Sequence, residues 1–410
     1  MIKHLLKLVW NRKRGNILIT LEIFVCFLVL FATVVMVGYY ANNYRQPLGY
    51  EYKNVWIVGT SLSTLADLER EQKDVMKKWT AAFYEALRNM PEVEAVSTIG
   101  QAPYTYSWHS AGFEYRGKHI DTSVNEGSDD LPKVLNLQVV QGRWFDKRDD
   151  GLSWDPVVIN QMMAHQLFGD EAPLGKDISN KGPSGTGGSA DLAPSSKERQ
   201  KRVIGVIADY RKDGEFSAPE TYVFTRTVPG VDRGWDFLIK LRPGVGADFE
   251  EALVQRLHSV NPDWSFEIDP LTQTRESKLG WQIAPMAAAA IVVSFLIVMV
   301  ALGLVGVVWQ NVSQRTREIG LRRACGAPAG SIHLQVLGEL LVVSSVGLGL
   351  GTLLVIQIPL LDLVGFLTTE VYIYSLIASL ALIYGLTLAC GIYPSRLATR
   401  VQPVEALRWE

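Results

Sequence analysis

The sequence predicts an α-helical membrane protein with four transmembrane helices and a large α+β extracytoplasmic domain. Three observations predict it. Four segments reach the roughly 20 apolar residues needed to cross a bilayer: Ile17–Tyr40, Met286–Trp309, His333–Leu361 and Val371–Tyr393. A long polar stretch, residues 41–281, separates the first from the second. Mean hydropathy is +0.11, too high for a chain wholly in water and too low for one wholly in lipid.

Residues 1–16 carry Lys3, Lys7, Arg12, Lys13 and Arg14. Ile2, Leu5, Leu6 and Val9 fall at helical spacing with Lys3 and Lys7 on another face. This is either a short basic helix in the inner headgroup layer or a simple basic flank. The first span, 17–40, is too long for a signal-peptide core, and GYYANNYRQP after it holds no small-x-small cleavage site. It is therefore expected to be a permanent anchor. Glu22 lies a turn or two inside it, and Glu339 lies at similar depth in the third span. An intramembrane carboxylate invites a proton-relay reading. At that depth each can equally reach headgroup water or a nearby arginine.

Orientation follows from the basic residues beside the spans. With four crossings, the N-terminal cluster, Arg315, Arg317, Arg322 and Arg323 after span two, and Arg396, Arg400 and Arg408 after span four share one side. The loop after span three has Asp362 and Glu370 and no Lys or Arg. Both termini are then expected in the cytoplasm. Tyr39, Tyr40, Trp281, Trp309, Tyr372, Tyr374 and Tyr393 mark the interfaces as an aromatic belt does.

The extracytoplasmic segment contains an internal echo. A strand pattern at Val55–Val58, a helix at about 64–90 and a strand at Val93–Ile99 come first. Phe237–Leu241, a helix at Ala247–Val260 and a strand at Trp264–Ile268 come later. The helices share FYEAL (Phe83–Leu87) and FEEAL (Phe249–Leu253). Two βαβ-like halves packed side by side are expected. Between them, 100–235 reads as an inserted, mainly β subdomain, with strands near Pro156–Ile159, Val203–Ile207 and Thr221–Thr225. Its Gly/Ser/Pro-rich stretch 180–199 reads as a mobile surface loop.

The remainder, 282–393, holds spans two to four around a basic joint at 310–332. Its core, REIGLRRACGAPAGS, reads as a short amphipathic helix closed by Gly326 and Pro328. Spans two and three carry small residues at close-packing spacing, among them Gly347 and Gly351 as a GxxxG. The tail, 394–410, is expected to turn at Pro394 and to form a short basic helix on the inner face.

Several function classes are excluded. The net charge of −2 gives no case for nucleic-acid binding. The three cysteines, Cys26, Cys325 and Cys390, lie outside the polar segment, so it has no disulfide framework. His109, His119 and His165 are not spaced as metal ligands. Gly169–Asp177, GDEAPLGKD, falls short of a P-loop: its spacing is wrong and no Ser or Thr follows Lys176. No GxSxG, HExxH or kinase set occurs. The chain is read as a non-enzyme.

REIGLRRACGAPAGSIHLQVLGELL resembles the cytoplasmic joint and third span of the MacB/FtsX-type ABC permeases, R-x-x-E-I-G-x-x-R-A-x-G-A and then a helix with a Glu. The tail YPSRLATRVQPVEALR resembles that family's closing motif. VVINQMMAHQLFGDEAPLGKDI and KRVIGVIADYR resemble its MacB-type periplasmic core domain. Cys325 stands where members more often carry Leu or Met.

The resemblance implies a half-transporter permease of the inner membrane. It would bind no cofactor itself, with ATP and Mg held by a separate ABC ATPase subunit. The joint would be the coupling helix. Arg317, Glu318, Arg322 and Arg323 would make polar contacts to the ATPase, and Ile319, Leu321 and Ala324 would pack in its groove. Gly320 belongs to the same motif, and Gly326 would permit the tight helix end. A second permease subunit would complete the dimer, as homo- or heterodimer. ATP-driven strokes would rock the external domains, exporting a substrate by mechanotransmission. Further implied partners are a periplasmic adaptor protein and an outer-membrane channel, besides membrane lipid. The alternatives are an FtsX-like regulator of an extracellular enzyme and a lipoprotein-releasing permease. A membrane-anchored sensory ectodomain is a third reading, disfavoured by the basic joint.

Overall fold

The computed structural model describes residues 13–60, 73–106, 109–178, 199–232, 236–314, 321–322, 325–326, 328–361 and 367–399. The chain divides into two units, one of Met1–Asn42 with Ile283–Glu410 and the other of Asn43–Gln282.

Among the described residues, four helices are long and apolar enough to cross a membrane. They are α1 (Lys13–Tyr44), α6 (Leu271–Gln314), α7 (Ala329–Leu360) and α8 (Thr369–Thr399). Each extends beyond the apolar segment that predicts it, because hydropathy marks the part in lipid and not the end of the helix. The largest extension is in α6. It starts directly after the strand ending at Pro270 and runs through Pro285. Residues 271–284 are polar but include good helix formers such as Gln, Glu and Lys. The expected turn at Pro394 is corrected: α8 stays helical through it to Thr399. A proline removes one backbone donor, which a long helix can tolerate.

In this unit α1 is a central contact surface. Its Ile19, Ile23, Cys26, Phe27, Leu30 and Phe31 are buried at three- and four-residue intervals against Val300 and Leu304 of α6, Leu348 and Val355 of α7 and Tyr372 of α8. Polar pairs add specificity between α7 and α8. Ser344 and Thr387 hydroxyls are 3.1 Å apart, Ser345 and Tyr384 hydroxyls 2.9 Å, and Tyr372 donates to the Val355 carbonyl at 2.5 Å.

The other unit is built on one mixed sheet. Its elements in chain order are β1 (Val55–Thr60), α2 (Lys73–Arg88), β2 (Val93–Ile99), β3 (Ser110–Tyr115), β4 (Lys118–Gly127), α3 (Leu131–Leu135), β5 (Val139–Gly142), β6 (Asp155–Asn160), α4 (Gln161–Phe168), β7 (Asp177–Ile178), β8 (Lys201–Ile207), β9 (Tyr222–Arg226), β10 (Asp236–Leu241), α5 (Phe249–Val260) and β11 (Phe266–Pro270).

Both βαβ halves are present, β1-α2-β2 and β10-α5-β11. They interleave in one sheet where side-by-side packing was expected. The order is β11-β1-β10-β2, with β1 antiparallel to β10 and β11, and β10 antiparallel to β2. β1 and β2 are therefore parallel with β10 inserted between them, the split βαβ arrangement. The register is set by two-sided burial. Trp56 and Val58 face the helices, where Phe83 and Leu87 of α2 and Phe249, Leu253 and Leu257 of α5 are buried. Val55, Ile57 and Leu238 face the opposite side, against Leu131, Val134 and Leu135 of α3 and a group of tyrosines.

The insert continues the same sheet as β2-β4-β9-β6-β8-β5, with β3 on β4 and β7 on β8. β2 and β4 meet at a single pair, Ile99 with Gly127. Two further backbone bonds reinforce that seam, Gly100 N–H to Glu126 and Ser128 N–H to Thr98. β4/β9 and β6/β8 are parallel; β6/β9 and β5/β8 are antiparallel. Fully buried Asn160 organises the β6–α4 corner. Its Oδ1 caps α4 by accepting from Met163 N–H at 3.0 Å and also accepts from Tyr222 N–H. Its Nδ2 donates to Glu220 O and Asp209 Oδ1. Residues 180–198 of the Gly/Ser-rich stretch, and the N-terminal segment up to residue 12, lie outside the described residues.

Candidate functional site

Of the proposed joint, Arg317, Glu318, Ile319, Gly320, Arg323 and Ala324 lie outside the described residues. Leu321, Arg322, Cys325 and Gly326 are described and exposed. Leu321 O accepts from Cys325 N–H at 3.0 Å, and Gly326 follows at φ 89°. That left-handed conformation is one a glycine adopts without a Cβ penalty. Pro328 then stands at the start of α7, its carbonyl accepting from Ser331 N–H and Oγ.

Arg322 reaches back to α7. Its Nη1 donates to Gln335 Oε1 at 2.8 Å, and Gln335 Nε2 donates to Glu339 Oε1 at 3.3 Å. Gln335 and Glu339 are one helical turn apart on the same face. A polar chain thus runs from the basic joint into the third apolar helix and gives Glu339 a partner there.

Glu22 is half-buried and faces α6. A Cβ placed on Gly303 would meet its Oε2 at 2.6 Å, so the missing side chain makes room for the carboxylate. Gly347 and Gly351 face α1. A Cβ on Gly347 would lie 2.9 Å from Thr20 O, and one on Gly351 would strike the Phe27 ring. The glycine-paired face of α7 is thereby brought against α1 within this unit.

No group of three or more metal-ligating side chains occurs among the described residues. His119 lies 3.3 Å from Asp121, and His109 hydrogen-bonds Gln101. Lys176 is paired with Glu171 and stacked over Tyr115 and Phe168.

A second cluster escapes sequence reading. It lies in the globular unit, where the chain enters (Asn43–Gln46) and where it leaves (Arg275–Lys278). Arg211 is 1% exposed. Its guanidinium donates to the carbonyls of Asn43 at 2.9 Å, Gln46 at 3.0 Å, Glu215 at 2.6 Å and Ser217 at 3.2 Å. Arg is suited to this, with a fixed fork of five donors. Two of the carbonyls come from the last turn of α1 and its exit, where the helix dipole favours a cation. Asn43 Nδ2 donates in return to Phe216 O at 3.0 Å.

On the exit side, Arg275 Nε donates to Glu215 Oε1 at 2.5 Å, and Lys278 Nζ to Asp213 Oδ1 at 2.9 Å. Each cation also lies over a ring: Arg275 over Tyr52 at 4.8 Å and Lys278 over Tyr106 at 4.1 Å. The same loop is anchored from behind, Tyr104 N–H donating to Lys212 O at 2.7 Å. Gly214, at φ 88°, lets the Tyr104 ring approach: a Cβ there would be 2.5 Å from it. Tyr50, Tyr104, Tyr210 and Tyr222 pack beneath, and burial raises the pKa of each hydroxyl. The sequence hints are that Arg211 closes the stretch KRVIGVIADYR and that polar Arg211–Lys212–Asp213 is set between the apolar strand β8 and the aromatic Phe216.

Two family models match the chain. The MacB-like periplasmic core domain matches residues 24–256, and the FtsX-like permease C-terminal region matches residues 290–403. Among curated proteins, the chain is 27% identical over 305 residues to a macrolide export ATP-binding/permease protein MacB of Marinobacter nauticus, covering 72% of this chain and 45% of that protein. It is 26% identical over 327 residues to the pyoverdine export ATP-binding/permease protein PvdT of Pseudomonas aeruginosa, covering 77% and 47%. The chain thus spans about half the length of the curated relatives it matches. Among solved structures, the periplasmic region of MacB from Actinobacillus actinomycetemcomitans aligns at 16% identity and TM-score 0.38, covering 55% of this chain and 92% of that one. The periplasmic core match alone takes in more than half of the chain, and with the permease match beside it the chain belongs to the MacB/FtsX-type ABC transporter permease family of inner-membrane proteins.

Proposed function

We propose that this chain is the permease subunit of a MacB-type transporter, driven by a separate ATPase subunit that binds ATP and Mg. The observation that carries this is the polar chain Arg322–Gln335–Glu339. It fastens the exposed joint to α7, so that a push on the joint is delivered to a helix of the bundle. Gly347 and Gly351 then pass it to α1 by close contact. The basic residues around the joint support a cytoplasmic location for it and for both termini. The names of the relatives, macrolide export and pyoverdine export, support small-molecule export by strokes of the periplasmic domain. A second permease copy, an adaptor and an outer-membrane channel complete this reading.

The test is to express the chain with its genomic neighbour ATPase and purify through a tag on the permease. Co-elution of the ATPase, lost with Arg322→Glu plus Arg323→Glu while membrane insertion persists, is the expected result. A folded, inserted chain that never retains the ATPase overturns the reading.

A further inference from the structure

We propose that the loop Arg211–Ser217 is the coupling clasp of the periplasmic domain, holding the entering and leaving chain ends to the sheet as one body. The proposal rests on the function proposed above. The loop connects the two ends by different chemistry. Arg211 takes the entering chain by its backbone carbonyls, and the Asn43 amide returns one hydrogen bond to Phe216 O of the loop. Asp213 and Glu215 take the leaving helix by its side chains, Lys278 and Arg275. These two cations are three residues apart and so lie on one face of α6.

The positions on the loop are not interchangeable. Arg211 sits too deep to be screened by solvent, and its donors are used on carbonyls of both the loop and the entering chain. A tug on Asn43–Gln46 therefore bears on Glu215 and Ser217, whose carbonyls share the same guanidinium. Glu215 in turn holds Arg275. Motion of either end reaches the other within a few bonds. The loop also continues directly from β8 and leads into β9, so the same motion enters the middle of the inserted sheet. Arg211, Asp213 and Glu215 are positioning residues for the stroke and touch no substrate.

The experiment uses the full chain with its ATPase in nanodiscs, in a background with Cys26, Cys325 and Cys390 replaced by Ala. Spin labels at Ser277→Cys on α6 and Lys118→Cys in the β3–β4 hairpin report the distance between the leaving helix and the sheet. A fluorophore at Lys118→Cys alone reports the ATP-driven response of the domain. The expected result is a narrow distance distribution in the parent. In Asp213→Asn with Lys278→Met it should broaden, and the fluorescence response to ATP should be lost while the bound ATPase hydrolyses ATP at the parental rate. A merely structural role would lower thermal stability without separating hydrolysis from response. Charge exchange, Asp213→Lys with Lys278→Asp, should restore both signals and excludes misfolding as the cause. A variant as narrow and as responsive as the parent overturns the clasp. If the parent itself gives no response to ATP, the proposed function fails, and the width of the distance distribution alone still decides for or against the clasp.

Discussion

Phe27 of α1 fills the space that a side chain at Gly351 of α7 would need. Gly349, two residues earlier, has nothing within 4 Å of its Cβ position. Gly351→Leu should therefore destabilise the bundle by about 1–3 kcal/mol or more through overpacking, while Gly349→Leu should be nearly neutral. Thermal unfolding of the two purified variants in detergent, followed by size-exclusion chromatography, separates them. Equal melting temperatures would show that this face is not packed against α1.

Phe83 carries the joint core of the two interleaved halves. It contacts Trp264 at 5.2 Å, Phe266 at 5.1 Å and Phe237 at 6.5 Å between ring centroids, and is 1% exposed. Phe83→Ala should cost about 3–5 kcal/mol. Hydrogen exchange in the full chain should show β10 and β11 losing protection together, although the substitution lies in α2. Loss confined to α2 would mean that the halves do not share one core.

Arg226 ends β9 with a forked grip on Asp129, at 2.8 Å from both oxygens, and a third bond to Asp150 at 2.7 Å. Arg226→Met should leave two carboxylates without their cation and cost about 1–3 kcal/mol. Arg226→Lys should recover only part of that, since an ammonium cannot match the fork. Chemical denaturation of the three proteins gives the order; a lysine variant equal to the parent would reduce the site to a simple charge contact.

Asp236 and Glu267 flank Gly59 from the two strands paired with β1. Burial, with the Glu267 charge second, pushes the Asp236 carboxyl up to about 6. A carboxyl raised in the fold binds its proton more tightly there than in the unfolded chain. Its contribution is full below the unfolded value and is lost as pH rises through about 6. Asp236→Asn should thus raise stability at about pH 7.5 by roughly 1–3 kcal/mol and change little near pH 4. Thermal melts at both values check the sign; a destabilised variant at the higher pH would refute it.

Much of this architecture could be read from residue patterns, for identifiable reasons. The spans announce themselves by composition, and FYEAL and FEEAL mark helices whose apolar faces do bury on one sheet. Strand order could not be read the same way. Val55–Val58 is apolar on both sides, and a doubly buried strand says nothing about its neighbours. Helix ends near 271 and 399 were hidden because the residues there favour helix without being apolar. The turn at Gly326 is legible from Gly326 and Pro328, but the Arg322 link to Gln335 and Glu339 is a side-chain contact across that turn, which residue patterns do not specify. Arg211 is the sharpest case. In sequence it closes the stretch KRVIGVIADYR beside Lys212, Asp213 and Glu215, and nothing in that pattern shows that it is buried. What buries it is the tyrosine group beneath and two carbonyls from a segment more than 160 positions away.

The interleaved sheet also dictates a timetable. β1 lies between β11 and β10, and both are translated after the whole insert. As the polypeptide emerges, that apolar strand has neither of its eventual hydrogen-bonding neighbours until residue 236 has followed it out. The insert can assemble locally in the meantime, but the first half cannot close, and long-range pairing of this kind is slow. The nascent domain therefore passes through a stage with an open, sticky edge, the stage at which a holding chaperone has something to hold.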